Sequence, residues 1–281
     1  MTVAEDSSRS PESGSPEELR DLAVEVAVAA AQLVRERRQG VVEVFETKSS
    51  SVDIVTEVDQ AAEELIYAQV MRARPGDGFL GEEGASAESS TGVSWIVDPI
   101  DGTVNFLYGL PQYSVSIAAE RDGEVVAGAV VNVQTREVFA AARGAGATCD
   151  GRPLRVRERV PLDQRLVVTG FSYVAEVRAL QGAAVAALLP QVRDIRRLGS
   201  AALDLCALGA GRADGYVEEG LNPWDMAAGG LVAAEAGARI ETLPGVGGRP
   251  CVVCAPADGF GELLALVERC GFLEPGHPIR G

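Results

Sequence analysis

Before residue 75, apolar residues recur every three or four positions in two stretches. The first begins at Ser15–Pro16–Glu17–Glu18, a capping box with proline at the first helical position, and the spacing predicts a helix that Gly40 ends. The second begins at Thr56, which pairs with Asp59 in a second box, and it is predicted to end near Pro75. The apolar faces are Leu22, Val26, Ala29 and Leu33 in the first helix, and Ala62, Leu65, Ile66 and Val70 in the second.

From residue 113 the pattern changes to short apolar runs separated by turns. Residues 113–120, 125–133 and 138–142 are predicted strands, and the short turns between them make neighbours antiparallel. After Asp150–Gly151 strand-like runs alternate with helical ones, so we predict an α/β protein with an α+β first half and an α/β second half. The later predicted strands are 166–169, 192–195, 215–218, 239–242 and 252–255, and the later helices are 174–189, 200–209, 224–236 and 261–270.

These patterns divide the 281 residues into three parts. Residues 1–14 are rich in Ser, Glu and Pro, lack the apolar core of a signal peptide, and are predicted to be a disordered tail. Residues 15–145 form an N-terminal α+β half that carries most of the candidate metal ligands. Residues 146–281 form a C-terminal α/β half that carries Asp225 and the candidate substrate loops.

Charge and composition narrow the possible partners. Acidic residues outnumber lysine and arginine by 41 to 25, which gives a net charge of −16. Nucleic acids and anionic membrane surfaces bind clustered positive charge, so we expect neither as a partner of this acidic chain. No run reaches the ~18–20 apolar residues that a membrane-spanning helix needs. Five cysteines without disulfide-like spacing suit a reducing compartment, and we expect a cytoplasmic protein. The chain has a single histidine, His277, which argues against histidine-based hydrolases and histidine-ligated zinc sites. His277 itself is expected to be a solvated tail residue.

The strongest chemical signal is a pair of acidic residues after an apolar run. Trp95–Ile96–Val97 predicts a short buried strand that ends at Asp98, where a proline stops it, and Asp101 follows three residues later. Two carboxylates this close repel each other unless a cation neutralises them, and Mg²⁺ prefers such oxygen ligands. Gly102–Thr103 predicts a helix start, whose backbone N–H groups favour an anion. The segment therefore indicates a metal beside a phosphate ester.

Three further acidic clusters follow apolar or turn-forming residues. Glu82 and Glu83 lie between two glycines after Phe79–Leu80, Asp225 stands at a predicted helix start, and residues 53–59 supply Asp53 and Asp59. Singly, each cluster has an ordinary explanation as a helix cap or a solvated turn. Four clusters of the same kind together indicate one common site.

The clusters resemble the inositol monophosphatase family of lithium-sensitive, metal-dependent sugar phosphatases. The matching stretches occur in the family's order between about residues 17 and 270; they are Lys48–Ser50 with residues 53–59, Gly81–Glu83, Trp95–Phe106, Gly199–Ala202 and Trp224–Gly229. The resemblance implies a layered α-β-α-β-α sandwich, two or three Mg²⁺ ions per active site, a small phosphorylated polyol as substrate, and a homodimer.

The resemblance also implies a role for each matching residue. Asp98 would bridge two Mg²⁺ ions, with Glu82 and the Ile100 carbonyl completing the first site and Asp101 and Asp225 holding the second. Glu82 is also expected to touch a weaker third ion. The implied catalytic residues are Asp59, Thr103 and Glu82, of which Asp59 and Thr103 orient and deprotonate the attacking water. The implied substrate contacts are Asp101, Gly102, Thr103, Gly199, Ser200, Ala201, Glu218 and Asp225. Lys48, Asp53 and Glu83 are expected to support the site from behind or from a mobile loop.

The sequence leaves alternatives open for the substrate and for the function. Myo-inositol 1-phosphate is the expected substrate, and histidinol phosphate, fructose 1,6-bisphosphate and phosphoadenosine phosphate are the alternatives that share these motifs. A non-catalytic regulatory protein on the same fold would be expected to lack a metal ligand.

Two cysteine patterns are interpreted without catalysis. Cys149 and Arg155 have the spacing of cysteine phosphatases, but the segment is predicted to be a turn and contains Pro153. Cys251 and Cys254 are predicted to be core thiols on opposite faces of one strand.

Overall fold

The computed structural model describes residues 14–38, 44–47 and 54–275. Within these ranges the helices are α1 (Pro16–Arg37), α2 (Glu57–Ala73), α3 (Thr103–Tyr108), α4 (Ala175–Leu188), α5 (Ala201–Gly209), α6 (Pro223–Glu235) and α7 (Phe260–Arg269). The strands are β1 (Val44–Thr47), β2 (Ile54–Thr56), β3 (Gly78–Gly81), β4 (Ser86–Ala87), β5 (Val93–Asp101), β6 (Ser114–Arg121), β7 (Glu124–Asn132), β8 (Val138–Ala142), β9 (Gly146–Cys149), β10 (Arg152–Pro153), β11 (Leu166–Thr169), β12 (Asp194–Arg196), β13 (Gly215–Glu219), β14 (Ala238–Pro244) and β15 (Pro250–Pro256).

Both predicted capping boxes are confirmed. The Ser15 hydroxyl accepts the Glu18 N–H at 3.2 Å, and the Glu18 carboxylate accepts the Ser15 N–H at 2.7 Å, which satisfies two donors that an α-helix leaves unpaired at its start. At α2 the Asp59 carboxylate accepts the Thr56 N–H at 2.9 Å in the same way. The first helix ends at Arg37, whereas Gly40, its predicted stop, lies outside the described residues.

The strands form two large sheets and a small hairpin of β1 and β2. The eight-stranded sheet has the order β10-β9-β8-β7-β6-β5-β3-β4 and is antiparallel except for the parallel pair β3 and β5. The five-stranded sheet has the order β12-β11-β13-β15-β14. Its β11 pairs in parallel with β12 and β13, while β15 pairs antiparallel with β13 and β14, so the predicted α/β half contains a mixed sheet.

Helices and sheets stack in five layers, which confirms the predicted α-β-α-β-α sandwich. Apolar residues of α1 and α2 pack on one face of the eight-stranded sheet, and those of α5 and α6 pack on its other face. The opposite sides of α5 and α6 pack on the five-stranded sheet, whose far face is covered by α4 and α7. Cys251 and Cys254 lie in the cores on the two sides of β15, as predicted.

Several predictions concern residues that the structure leaves undescribed. The disordered tail, apart from Gly14, lies outside the described residues, as do Lys48, Asp53 and His277. The division into halves at residue 145 stays a prediction; β9 and β10, which follow it, belong to the eight-stranded sheet. In the part of the chain that the structure describes, no helix has the length and apolar character needed to cross a bilayer.

Candidate active site

A pocket of about 330 Å³ opens where the two sheets and the middle helix layer meet. Its walls come from the end of β5, the start of α3, the loop before α5, the end of β13 and the start of α6. The structure brings most of the predicted site residues to this pocket; they are Glu82, Asp98, Ile100, Asp101, Gly102, Thr103, Gly199, Ser200, Ala201, Glu218 and Asp225.

A β-bulge places Asp98 and Asp101 on the same side of β5. Asp98 pairs with Ser116 and Asp101 pairs with Ser114, so three steps along β5 match two steps along β6. In a regular strand, residues three apart point to opposite faces, and the extra residue corrects this. The Asp98 carboxylate accepts the Ile100 N–H at 3.0 Å, which stabilises the bulge. The prediction that the strand ends at Asp98 was wrong, because a proline is tolerated at a bulge and β5 continues to Asp101.

Asp101 is held by the loop and first turn that begin α5. Its carboxylate accepts the Ser200 hydroxyl at 2.6 Å and the N–H groups of Ala201 and Ala202 at 3.2 and 2.8 Å. Burial raises the pKa of Asp101 to about 7, although the bonds from Ser200 and Ala202 act in the opposite direction. Residues nearly a hundred positions apart in the chain thereby form one wall of the pocket.

Asp225 reaches the pocket from the start of α6. Asn222 caps this helix, Pro223 occupies a first-turn position, and the Asp225 carboxylate accepts the Asn222 N–H at 2.6 Å. Burial raises the pKa of Asp225 well above its ordinary value, and repulsion from Asp101 raises it further. The predicted helix start is confirmed, and the acid is both a cap and a pocket residue.

Burial and mutual repulsion both act on the acids of the pocket. Burial raises the pKa of Asp98 well above the ordinary value, and repulsion from Glu82, Asp101 and Asp225 adds to the increase. Glu82 is brought to the end of β5 by a hydrogen bond from its N–H to the Val97 carbonyl at 3.1 Å. A buried cluster of carboxylates is stabilised either by protonation of its members or by a bound cation.

Asp59 lies behind the pocket wall, next to Thr103. It is 1% exposed, and the Thr103 hydroxyl lies 3.2 Å from Asp59 Oδ1 and 3.0 Å from the Ile100 carbonyl. Burial raises the pKa of Asp59 to about 6, although hydrogen bonds from Thr56 and Thr103 lower it. Thr103 therefore stands between Asp59 and the pocket.

Glu218, on β13, also lines the pocket. Its carboxylate accepts the Tyr216 hydroxyl at 2.8 Å and lies over Gly170, where a methyl group would come within 3.0 Å of the carboxyl carbon and both oxygens. Burial raises the pKa of Glu218, while the Tyr216 hydroxyl and the nearby Arg197 lower it. The Tyr216 hydroxyl thus holds the carboxylate in place. The lack of a side chain at Gly170 leaves the space that the carboxylate occupies.

The oxygen atoms of the pocket are ligands of the kind that a hard cation prefers. In this structure, however, the carboxylates of Asp101 and Asp225 accept hydrogen bonds from other protein groups. Among the described residues, no three Asp, Glu, His or Cys side chains are arranged to hold a metal ion as they stand. Asp101 is turned toward α5 and Asp225 toward Asn222, so their oxygens satisfy backbone donors. The pocket offers carboxylates and a carbonyl without histidine or thiol ligands, which is the ligand preference of Mg²⁺.

Sequence reasoning missed several pocket residues. Arg197, Arg249 and the segment 171–174 also line the pocket, although isolated arginines and a short loop carry no recognisable pattern. Gly170, under Glu218, was also missed. Cys149 lies in a tight hairpin whose turn is Asp150–Gly151, and burial raises the pKa of its thiol, which supports the interpretation that it is not a nucleophile.

Comparison with known proteins agrees with this geometry. A model of the inositol monophosphatase family matches residues 15–265. The inositol-1-monophosphatase SuhB of Mycobacterium tuberculosis is 46% identical over 92% of this chain and 97% of its own length. A solved structure of Mycobacterium tuberculosis SuhB has a TM-score of 0.81 and 44% identity, and it covers 93% of this chain and 100% of its own. The Nus factor SuhB of Xylella fastidiosa is 43% identical over 70% of this chain and 72% of its own length. Together with the five-layer fold and its acidic pocket, these matches show that the chain belongs to the inositol monophosphatase family.

Proposed function

We propose that this protein is a Mg²⁺-dependent phosphomonoesterase that hydrolyses myo-inositol 1-phosphate to inositol and phosphate. The observation that carries the proposal is the pocket in which Glu82, Asp98, Asp101 and Asp225 repel one another while the Ile100 carbonyl and Thr103 stand beside them. A cation removes this repulsion, and a phosphate monoester can approach acidic residues only when cations offset their charge.

Five residues would hold the ions. Glu82, Asp98 and the Ile100 carbonyl would form one site, and Asp98, Asp101 and Asp225 the second, with Glu82 also near a weaker third ion. The chemistry that bound Mg²⁺ supplies is a lowered pKa of a coordinated water and neutralisation of the phosphoryl and leaving-group oxygens. The side chains would have to exchange their present backbone donors for the ion, as the bonds of Asp101 and Asp225 show.

Asp59 and Thr103 are the proposed proton acceptors. The Thr103 hydroxyl can donate to Asp59 at 3.2 Å and then accept a proton from a water in the pocket, so the proton of the attacking water moves toward Asp59. A pKa of about 6 makes Asp59 a stronger base than an ordinary aspartate while leaving it mostly ionised at neutral pH. Burial of Asp59 keeps this proton path away from bulk water.

Substrate contacts would come from other residues that line the pocket around the acids. These are Gly102, Thr103, the segment Gly199–Ser200–Ala201, and Glu218. We propose that Glu218 accepts a polyol hydroxyl, because its carboxylate is fixed by Tyr216 and faces the pocket. Asp101 and Asp225 would share this task.

Phosphate release from a substrate panel tests the proposal. The panel is myo-inositol 1-phosphate, histidinol phosphate, fructose 1,6-bisphosphate, phosphoadenosine phosphate and glycerol 2-phosphate, each with chelator and with added Mg²⁺. We expect activity only with Mg²⁺, the highest kcat/KM on inositol 1-phosphate, and inhibition by lithium. Full turnover in chelator would refute the metal mechanism. A preference for another ester would replace the substrate but keep the mechanism, and no turnover with any ester would favour a non-catalytic regulatory protein.

We further propose a homodimer, as the family resemblance implies. Tyr108, Leu110 and Leu198 are large apolar side chains that are 75%, 52% and 36% exposed. The segment that follows α3 and the loop before α5 are joined by the Asn105 side chain, which donates to the Gln112 and Leu198 carbonyls at 2.6 and 2.8 Å. We call Tyr108, Leu110 and Leu198 together the Tyr108 surface. A second copy of the chain is the proposed partner that packs against this surface.

A further inference from the structure

Glu63 is a buried carboxylate that the proposed chemistry does not use. It is 4% exposed and lies four residues after Asp59 on the same face of α2. Its two oxygens accept backbone N–H groups from a distant loop: Oε2 accepts that of Glu83 at 2.8 Å, and Oε1 accepts that of Ala85 at 2.8 Å. Two charge-assisted hydrogen bonds from the loop to one buried carboxylate hold the loop firmly in place.

That loop carries Glu82. The Gly81 N–H donates to the Ala85 carbonyl at 2.8 Å, which closes a tight turn over residues 81–85, and the Glu82 N–H donates to the Val97 carbonyl at 3.1 Å. The turn is therefore held by β5 through Glu82 and by α2 through Glu63.

Gly81 shows how closely Glu63 fits beneath the turn. A methyl group at Gly81 would lie within 3.0 Å of the carboxyl carbon and both oxygens of Glu63. Gly81 does not have a left-handed φ, so the space that Glu63 occupies, rather than backbone conformation, explains the glycine.

We propose that Glu63 is a positioning residue that sets the Mg²⁺ affinity of the site by fixing the turn on which Glu82 stands. The inference rests on the proposed function, in which Glu82 is a metal ligand. Through α2, Glu63 places Glu82 while Asp59 places Thr103, so one helix aligns the metal side and the proton-accepting side of the pocket. Residues that orient metal ligands typically change metal affinity 10- to 100-fold when they are replaced.

The variant Glu63→Gln tests this inference with little change in volume. An amide offers one acceptor oxygen, and its NH₂ group would face a backbone N–H donor, so one of the two loop contacts is lost. The matched control is Asp77→Asn. Asp77 is also a buried carboxylate, 2% exposed, and it accepts from Trp95 Nε1 and Arg74 Nε at 2.9 Å each, away from the pocket lining.

Mg²⁺ binding to the full chain is measured by titration calorimetry, and the melting temperature of the metal-free protein is measured by circular dichroism. We expect Glu63→Gln to raise the Kd for Mg²⁺ by about 10- to 100-fold and Asp77→Asn to change it by less than about twofold, while both lower the melting temperature. At saturating Mg²⁺ the Glu63 variant should regain most of its kcat, and Glu63→Asp should bind Mg²⁺ more tightly than Glu63→Gln.

An unchanged Kd in Glu63→Gln, with a lowered melting temperature, would show that Glu63 is only structural and would overturn the inference. Equal shifts in both variants would do the same. If Glu63→Gln does not fold, Gly81→Ala replaces it, because it displaces the same carboxylate and carries the same expected shift. A wild-type protein that binds no Mg²⁺ would refute the proposed metal site and this inference with it. Wild-type binding with unchanged variants would refute the inference alone.

Discussion

The variant Gly170→Ala should impair recognition of the polyol without removing any functional group from the pocket. Gly170 follows Thr169, the last residue of β11, and Thr169 pairs with Val217 of β13, so Gly170 lies beside Glu218. A methyl group there would lie within 3.0 Å of all three carboxyl atoms of Glu218, whereas the φ of Gly170 is not left-handed and accepts alanine. The side chain of Glu218, rather than the backbone, has to move.

The expected loss follows from that displacement. The carboxylate must retreat by about 1 Å, and misplacement on this scale can cost about 100-fold in rate. A hydrogen bond to a charged group contributes about 1.5–3 kcal/mol, so its loss corresponds to roughly 10- to 100-fold. We therefore expect kcat/KM for inositol 1-phosphate to fall about 10- to 100-fold. Glycerol 2-phosphate should lose less than about threefold, because it offers fewer hydroxyls to Glu218 and the proposed metal ligands are unchanged.

The assay is phosphate release at saturating Mg²⁺ with both esters. The control is Gly182→Ala in α4, where an added methyl group meets nothing within 4 Å and alanine favours the helix. Circular dichroism confirms that each variant is folded, since overpacking costs about 1–3 kcal/mol. Equal losses on both esters, or none on either, would refute the assignment of Glu218 to the polyol.

Three further predictions concern the proposed metal ligands, the buried acids and the Tyr108 surface. Asp98→Asn should lower kcat by orders of magnitude while Cys149→Ser leaves it nearly unchanged, and the reverse order in a phosphate-release assay would support a thiol nucleophile. Burial raises the pKa of Asp59 to about 6 and that of Asp101 to about 7, so the metal-free folded state binds protons more tightly than the unfolded chain. Its melting temperature should fall as pH rises from about 4 through 7, and Mg²⁺ should raise it more at pH 8 than at pH 5; a pH-independent melting temperature would contradict this reasoning. Light scattering after gel filtration should show a dimer that Leu110→Glu converts to a monomer, and a wild-type monomer would remove the proposed interface.

Local sequence was sufficient for the elements whose stability is local. The capping boxes at Ser15 and Thr56 involve residues three apart, so their hydrogen bonds could be predicted without knowing the rest of the fold. Periodicity likewise placed β11 and α5, because burial of one face imposes a pattern on neighbouring residues. The acidic clusters were visible for the same reason, since each follows its own strand or turn within a few residues.

The geometry of the site depended on contacts between distant residues. The bulge in β5 turns Asp98 and Asp101 to one side only because β6 pairs with β5 in a shifted register, and no pattern around Asp98 records that register. Glu63 and Gly170 were missed because their importance lies in the acids or loops that fold against them, 20 and 48 positions away. The sequence alone therefore predicted which residues would carry the proposed chemistry and most of the helices and strands that hold them. Only the tertiary structure decided which carboxylates meet, because side-chain direction and loop position follow from long-range strand pairing and packing.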